Sequence, residues 1–175
     1  MEFKELIMVR RSVRSYVSAP THEELEGILR DAQQAPSWKN GQPARCYAVE
    51  SPEMIAQISE KGLPAFNANN SRNAALIVTT FVKDLSGFGP DGPSNEAGNY
   101  WGAYDLGLHD AYLVLAAKNA GFDTLIMGIR DADAIRAILN IPETEVILSV
   151  IAVGKAEKPS GPRMHKDLSE IAKFF

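Results

Sequence analysis

One cysteine, Cys46, is all that 175 residues contain. That excludes an internal disulfide framework and any multi-cysteine zinc or iron–sulfur site, and it fits a reducing, cytoplasmic setting. Histidine is nearly as scarce: His22, His109 and His165 are scattered, none at metal-ligand spacing from another His or Cys, so no zinc site is expected. No apolar run is long enough to span a bilayer as a helix, and the longest, near residues 74–82, is interrupted by threonines. The opening Met1-Glu2-Phe3-Lys4-Glu5-Leu6-Ile7-Met8 carries acids where a signal peptide needs an apolar core, so export by that route is not expected. Neither sign of charge dominates. Eighteen Lys plus Arg against 22 Asp plus Glu leave a net −4, which argues against a broad nucleic-acid footprint and means that any anion is held locally.

Catalytic signatures are missing as well. There is no G-x-S-x-G or Walker pattern, and Cys46, with no adjacent base in a predicted strand, reads as a small core residue. His109 and Asp110 are neighbours on a predicted helix, so they are expected to point apart and form no dyad. Gly87-Phe88-Gly89-Pro90-Asp91-Gly92 matches G-x-G-x-x-G, but Pro90 and Pro93 prevent it from opening into a helix that could receive a pyrophosphate. Chemistry carried by a bound organic cofactor suits a chain without an acid–base constellation, because the protein then supplies binding, orientation and electrostatics.

What is present is an ordinary globular pattern, 45% hydrophobic and 23% charged, long enough to bury about two thirds of its unfolded surface. Helical spacing near the start ends at Arg10-Arg11-Ser12-Val13-Arg14-Ser15-Tyr16. Thr21-His22-Glu23-Glu24 has capping-box form, opening a helix with Leu25, Ile28, Leu29, Ala32 and Ala35 on one face that Pro36 closes. A strand is expected over 45–50, and Ser51-Pro52 then starts a helix to about residue 61. Residues 74–83 read as a core strand covered on both faces, 85–98 as a long loop of the kind that carries substrate contacts or a lid, and 100–119 as a long helix with little polar face. Strands over 122–129 and 145–153 flank a helix that Asp131 caps, and an extended tail containing Pro159 and Pro162 follows. With only 13 Gly and 10 Pro, and no repeat or linker, one α/β or α+β domain over 1–175 is the reading.

Two segments can hold a ligand. If the chain is extended at 10–14, Arg10, Ser12 and Arg14 project to one side over about 13 Å, two guanidinium forks around a hydroxyl, a phosphate-sized receptor. A solvated charge run after a helix accounts for the same residues. Pro36-Ser37-Trp38-Lys39-Asn40-Gly41-Gln42-Pro43 joins an aromatic face to two carboxamides, which suits a planar heteroaromatic. An Asn-Gly turn between a helix and a strand is the alternative.

In this order the segments resemble the FMN-dependent nitroreductase family. Arg10-Arg11-Ser12-Val13-Arg14-Ser15-Tyr16, then Ala35 through Pro43, then Tyr104-Asp105-Leu106-Gly107 through Leu115-Ala116-Ala117 and Gly121, then Val150-Ile151-Ala152-Val153-Gly154 followed by Arg163, carry the likeness along nearly the whole chain. The resemblance implies an α+β fold, a central, mostly antiparallel sheet flanked by helices, and an intertwined homodimer with the tail 155–175 lying along the partner or cofactor. It implies that Arg10, Arg11, Ser12, Arg14 and Arg163 hold the phosphate and ribityl end of FMN. Pro36, Ser37, Trp38, Asn40 and Gln42 would approach the flavin from the second subunit, and Leu125, Ile126, Met127 and Gly128 would pass beside its ring. The implied activity is hydride transfer from NAD(P)H through flavin N5 to nitroaromatic, quinone or similar acceptors by a ping-pong mechanism, with no catalytic side chain. The alternatives are a flavin-sequestering protein and a specialised reductase or dehalogenase-type relative. Two departures stand out: the family often has a small polar residue at the place of Trp38, and a Cys-Trp or Pro-Glu pair within the stretch here occupied by 125–128. Trp38 then either stacks on flavin or substrate or fills the dimer interface.

Overall fold

Eight residues of the β-rich run form β3 (Ala75–Val82), and the expectation of a strand covered on both faces holds: all but the last are buried. The computed structural model describes residues 1–158 and 160–175; Pro159, placed above in the tail, lies outside the described residues. On one side β3 pairs with β2 (Ala44–Val49), on the other with β7 (Glu145–Ala156), and β7 pairs in turn with β6 (Asp123–Met127) and with the short β1 (Tyr16–Ser18). Every one of these ladders is antiparallel. Outside β6, Ser12 makes a single parallel bridge to Thr124, with Val13 N–H donating to the Thr124 carbonyl at 2.9 Å.

The period of two sorts the core into two layers. Ala75, Ile77, Ile151 and Val153 face α2 (His22–Ala32) and α5 (Tyr100–Asn119), packing on Leu25, Ile28, Leu113 and Ala117. Leu76, Val78, Val150 and Ala152 face the opposite way, toward α6 (Ala132–Leu139) and the π-helical turn Ile58–Gly62 that continues α3 (Pro52–Gln57), packing on Ile58, Leu63 and Ile135. Thr21, Ser51 and Asp131 cap their helices as expected, each side chain accepting a backbone N–H, and Thr21 and Glu24 complete a capping box. The first helix, α1, is Phe3–Val9.

Several expectations shift. Helix α2 stops at Ala32, not at Pro36, because Ala35 precedes a proline and the intervening residues close as a turn, Ala35 N–H to Ala32 C=O. β7 runs on to Ala156, since β1 is there to pair with it. Loop 85–98 contains a small hairpin, β4 (Phe88–Gly89) with β5 (Gly92–Pro93), and no helix opens from its glycines. Helix α4 (Ala65–Asn70) gave no sequence signal: its three asparagines are poor helix formers. Tertiary contact holds it, with Asn67 buried and its Nδ2 donating to the Ile129 carbonyl at 2.9 Å. The tail bears a last turn, α7 (Leu168–Ile171).

Candidate functional site

The segment leaving α1 runs along the outer edge of β6, and this placement gathers cations. Burial, then the charges of Arg163 and Arg11, pull the Arg10 guanidinium below its ordinary range. The tail therefore returns to the first arginines, and Ser160 Oγ fastens it there by donating to the Ser12 carbonyl at 3.2 Å. Among the described residues no carboxylate pairs with Arg10, Arg11, Arg14 or Arg163. Arg11 turns one nitrogen back to the Arg10 carbonyl at 2.8 Å. Arg14 is more exposed and acts instead on Tyr16, whose hydroxyl is held well above its usual range by burial and by Asp123, with Arg14 opposing. The structure thus brings Arg10, Arg11 and Arg163 together, while the exposed Arg14 donates to the Ser12 carbonyl at 3.5 Å.

Residues 125–128 continue from the bridge at Thr124. Leu125 and Met127 are buried in the core, so only their backbone is available to a ligand, whereas Ile126 is half exposed and Gly128 lies open. Two residues that the sequence reading passed over frame this edge. Asn67 reaches it from α4, as described, and Arg130 ties its far end by donating to the Gly128 carbonyl at 3.1 Å. An asparagine in an asparagine-rich segment offered no signal, because only burial distinguishes Asn67 from Asn69 and Asn70.

Loop 36–43 is folded under constraint. Lys39, Asn40 and Gln42 all have positive φ, 48°, 55° and 49°, a left-handed region that non-glycine residues occupy at a cost of order 1 kcal/mol each. Trp38 to Asn40 form a 3-10 turn rather than an open loop. Ser37 Oγ accepts the Gln42 N–H at 2.9 Å, and Arg45 donates to the Gln42 carbonyl at 2.9 Å. Trp38 packs within its own chain, its ring centroid 4.8 Å from that of Trp101, which meets Tyr104 edge-on at 5.5 Å. Pro36, Ser37 and Gln42 line a cleft of about 330 Å³ that runs beneath the loop to Cys46, Asp105 and His109. The arginine cluster contributes no residue to that lining, so within one chain the two candidate segments do not share a pocket.

Cys46, with no base adjacent in sequence, meets one in space: Cys46 Sγ lies 3.9 Å from His109 Nε2. His109 Nδ1 in turn lies 3.3 Å from Asp110 Oδ1, so the helical neighbours do meet, because both side chains turn inward from α5. Asp110 also accepts from Thr79 Oγ1 at 3.0 Å, and Thr79 pairs with Ser149 at 2.9 Å. The array is no activated nucleophile. Burial, with Asp110 nearby, pushes the Cys46 thiol up to about 12, so it stays protonated. Its role is to satisfy polar groups inside the core.

Helix α5 consequently buries polar side chains beside its apolar ones. Asp105, His109 and Asp110 are buried in the chain, while Tyr100, Tyr104, Gly107, Ala111 and Tyr112 form an exposed stripe of aromatic and small residues. In the tail, Met164, Leu168, Ile171, Phe174 and Phe175 are also exposed. No helix among the described residues is long and apolar enough to cross a membrane, and no group of three or more His, Cys, Asp or Glu among them could hold a metal ion.

The family model described as "Nitroreductase family" matches residues 7–155. A protein of Archaeoglobus fulgidus, provisionally named NADH dehydrogenase/NAD(P)H nitroreductase, is 30% identical over 99% of this chain and 93% of its own. A solved structure from Exiguobacterium sibiricum, of a provisionally named nitroreductase in complex with FMN, superposes with a TM-score of 0.88 at 24% identity, covering 100% of this chain and 98% of that one. Iodotyrosine deiodinase 1 of Rattus norvegicus is 24% identical over 87% of this chain and 61% of its own.

Proposed function

The chain belongs to the nitroreductase family, and on that premise we propose that it is a single-domain, FMN-dependent oxidoreductase working as a cytoplasmic homodimer. The observation that carries the cofactor assignment is the arginine cluster: Arg10, Arg11 and Arg163 converge with no carboxylate among the described residues to balance them. Like charges held together without a counter-ion are a standing cost that a bound phosphate removes. With Ser12 between Arg11 and Arg14 in the chain, these residues would hold the phosphate of FMN, and the exposed Arg14 would meet its ribityl end. Bound FMN would supply hydride acceptance from NAD(P)H at N5 and its delivery to a nitroaromatic or quinone acceptor, in alternation on one face.

The chain's own residues bind and orient. The open β6 edge at Ile126 and Gly128, with the backbone of Leu125 and Met127, would lie along the ring, and Asn67 would fix that edge from behind. Loop 36–42 lines a different cleft from the arginines in one chain, which supports a site assembled from two copies: Pro36, Ser37, Trp38, Asn40 and Gln42 of each subunit would close over the flavin of the other. The apolar outer stripe of α5 and the exposed apolar tail supply surface that a second copy would cover. The buried acids Asp105 and Asp110 are engaged inside the fold, which agrees with a reaction needing no side-chain proton donor.

The visible spectrum of the purified protein before and after NADH tests cofactor and hydride acceptance together. A flavin band that bleaches on NADH addition and returns with a quinone supports the reading. A flavin band unmoved by NADH or NADPH supports the sequestering alternative. Bleaching without turnover of nitroaromatics or quinones, but with release of halide from a halogenated phenol, supports the dehalogenase-type alternative, toward which the deiodinase likeness points. Arg10→Ala with Arg14→Ala should leave the protein colourless, and a double variant that purifies with one FMN per chain would overturn the phosphate assignment.

A further inference from the structure

Loops 36–43 and 85–98 are far apart in sequence and meet at one carboxylate. Asp105, in the second turn of α5, is 4% exposed, and no cation pairs with it among the described residues. One of its oxygens, Oδ2, accepts both the backbone N–H of Trp38 at 2.9 Å and the hydroxyl of Ser86 at 2.6 Å. A second route joins the same loops. Trp38 packs on Trp101, whose Nε1 donates to Asn95 Oδ1 at 2.9 Å. Gly87 passes so close to that indole, at φ +77°, that a Cβ there would sit 2.4 Å from Trp101 Cδ1.

We propose that Asp105 is a positioning residue for loop 37–42, and that loop 85–98 is a buttress for that loop rather than a lid. Three residues of loop 37–42 hold left-handed backbone, and such a conformation persists only where the surroundings over-determine it. Ser37 and Arg45 restrain the Gln42 end. At the Trp38 end the turn closes on itself, Asn40 N–H to the Ser37 carbonyl at 3.0 Å and Gly41 N–H to the Trp38 carbonyl at 2.8 Å, and Asp105 and the Trp101 ring fasten that turn to α5, where Ser86, Gly87 and Asn95 of loop 85–98 brace both. A carboxylate is the suitable acceptor there because it takes two donors on one oxygen through charge-assisted bonds, and burial strengthens both. The consequence for the flavin rests on the function proposed above; the restraint itself does not.

The test uses the full chain, with saturating FMN and again after flavin removal, as wild type, Ser86→Ala, Ser86→Thr and Asp105→Asn. The chain has two tryptophans, Trp38 and Trp101, both at this junction, so intrinsic fluorescence reports on it directly. Hydrogen exchange by mass spectrometry reports on the loop backbone. In Ser86→Ala and Asp105→Asn, amides in 37–42 should exchange roughly tenfold faster and the indole emission should shift, while β3 and β7 keep their protection. Ser86→Thr, which retains the hydroxyl, should restore both signals. FMN affinity should fall roughly threefold to tenfold along with them, on the same single-bond scale. Unchanged exchange and emission in both Ser86→Ala and Asp105→Asn overturn the proposal whatever FMN does. Loosened 37–42 with unchanged FMN affinity upholds Asp105 as the loop's anchor and removes the reading that the loop faces the flavin. Should Asp105→Asn fail to fold, the Ser86→Ala and Ser86→Thr pair decides alone.

Discussion

Arg10→Ala should leave the flavin-free protein about as stable as wild type while removing most of its affinity for FMN. The Arg10 guanidinium is partly buried, lies beside the charges of Arg163 and Arg11, and has no carboxylate partner among the described residues. Like charges screened as in bulk water, as solvent reaching the exposed Arg163 allows, repel by about 0.5–1 kcal/mol each at 4–8 Å on the order-of-magnitude Coulomb scale. Truncation relieves that repulsion but loses contacts of the aliphatic stem worth a similar amount, on the order of 1 kcal/mol. The net effect on folding is therefore within about 1 kcal/mol of zero. Binding loses more. A guanidinium gripping a phosphate through two charge-assisted bonds of about 1.5 kcal/mol each accounts for about 3 kcal/mol, or more than a hundredfold in affinity. Urea unfolding of flavin-stripped protein at low and high salt, beside an FMN titration, separates the two effects. Wild type should gain stability as salt screens the cluster, and Arg10→Ala should gain less. A loss of more than about 2 kcal/mol in the flavin-free variant would mean that Arg10 is a structural residue with a compensated charge, and the reasoning from repulsion would be wrong.

Cys46 should resist alkylation at pH 8 in the folded protein and react once per chain in denaturant, because its thiol is pushed up to about 12 by burial and Asp110. The sign for stability follows: the folded state keeps a proton that the unfolded chain releases near pH 9, so stability owes nothing to Cys46 below that pH. Its contribution falls as pH rises from 9 toward 12, by up to about 1.4 kcal/mol per pH unit; alkaline unfolding of wild type against Cys46→Ala, which keeps the slope from Tyr16 but lacks that of Cys46, checks it. Gly102→Ala places a methyl 2.4 Å from Phe81 Cδ2, a buried ring in the core, and should destabilise by about 1–3 kcal/mol in denaturant unfolding. Gly107, on the outer stripe of the same helix, has nothing within 4 Å of an added Cβ, so Gly107→Ala should not share that penalty in the unfolding of the monomeric chain. Ala111→Arg on that stripe should keep a native circular dichroism spectrum yet shift light scattering from dimer to monomer at micromolar concentration; an unchanged dimer would assign the interface elsewhere.

Much of the fold was legible in sequence because its signals are local. The β-rich apolar run in 74–83, the capping box at Thr21, the Ser51-Pro52 start and the Asp131 cap each depend on residues a few positions apart, and each holds in three dimensions. β1 and α4 were not legible, since three residues of strand and an asparagine-rich turn exist only because β7 and the β6 edge are there to receive them. At the site, the arginine motif was visible as a motif, but a solvated charge run fitted it equally well. The return of Arg163 to the neighbourhood of Arg10 is what supports the receptor reading proposed above.

The sequence by itself determined the helical and extended periods, the caps, the lack of metal-ligand and disulfide spacings, and which residue types were available to grip an anion or line an aromatic surface. Tertiary structure decided where each polar group finds its partner. It turned His109 and Asp110 inward together, set Cys46 beside the imidazole, laid Trp38 on Trp101 and gave Asp105 its two donors from distant loops. The physical reason is that periodicity and capping are fixed within one or two turns of chain, whereas a buried polar atom must be satisfied by whatever the packing of remote segments brings within 3 Å.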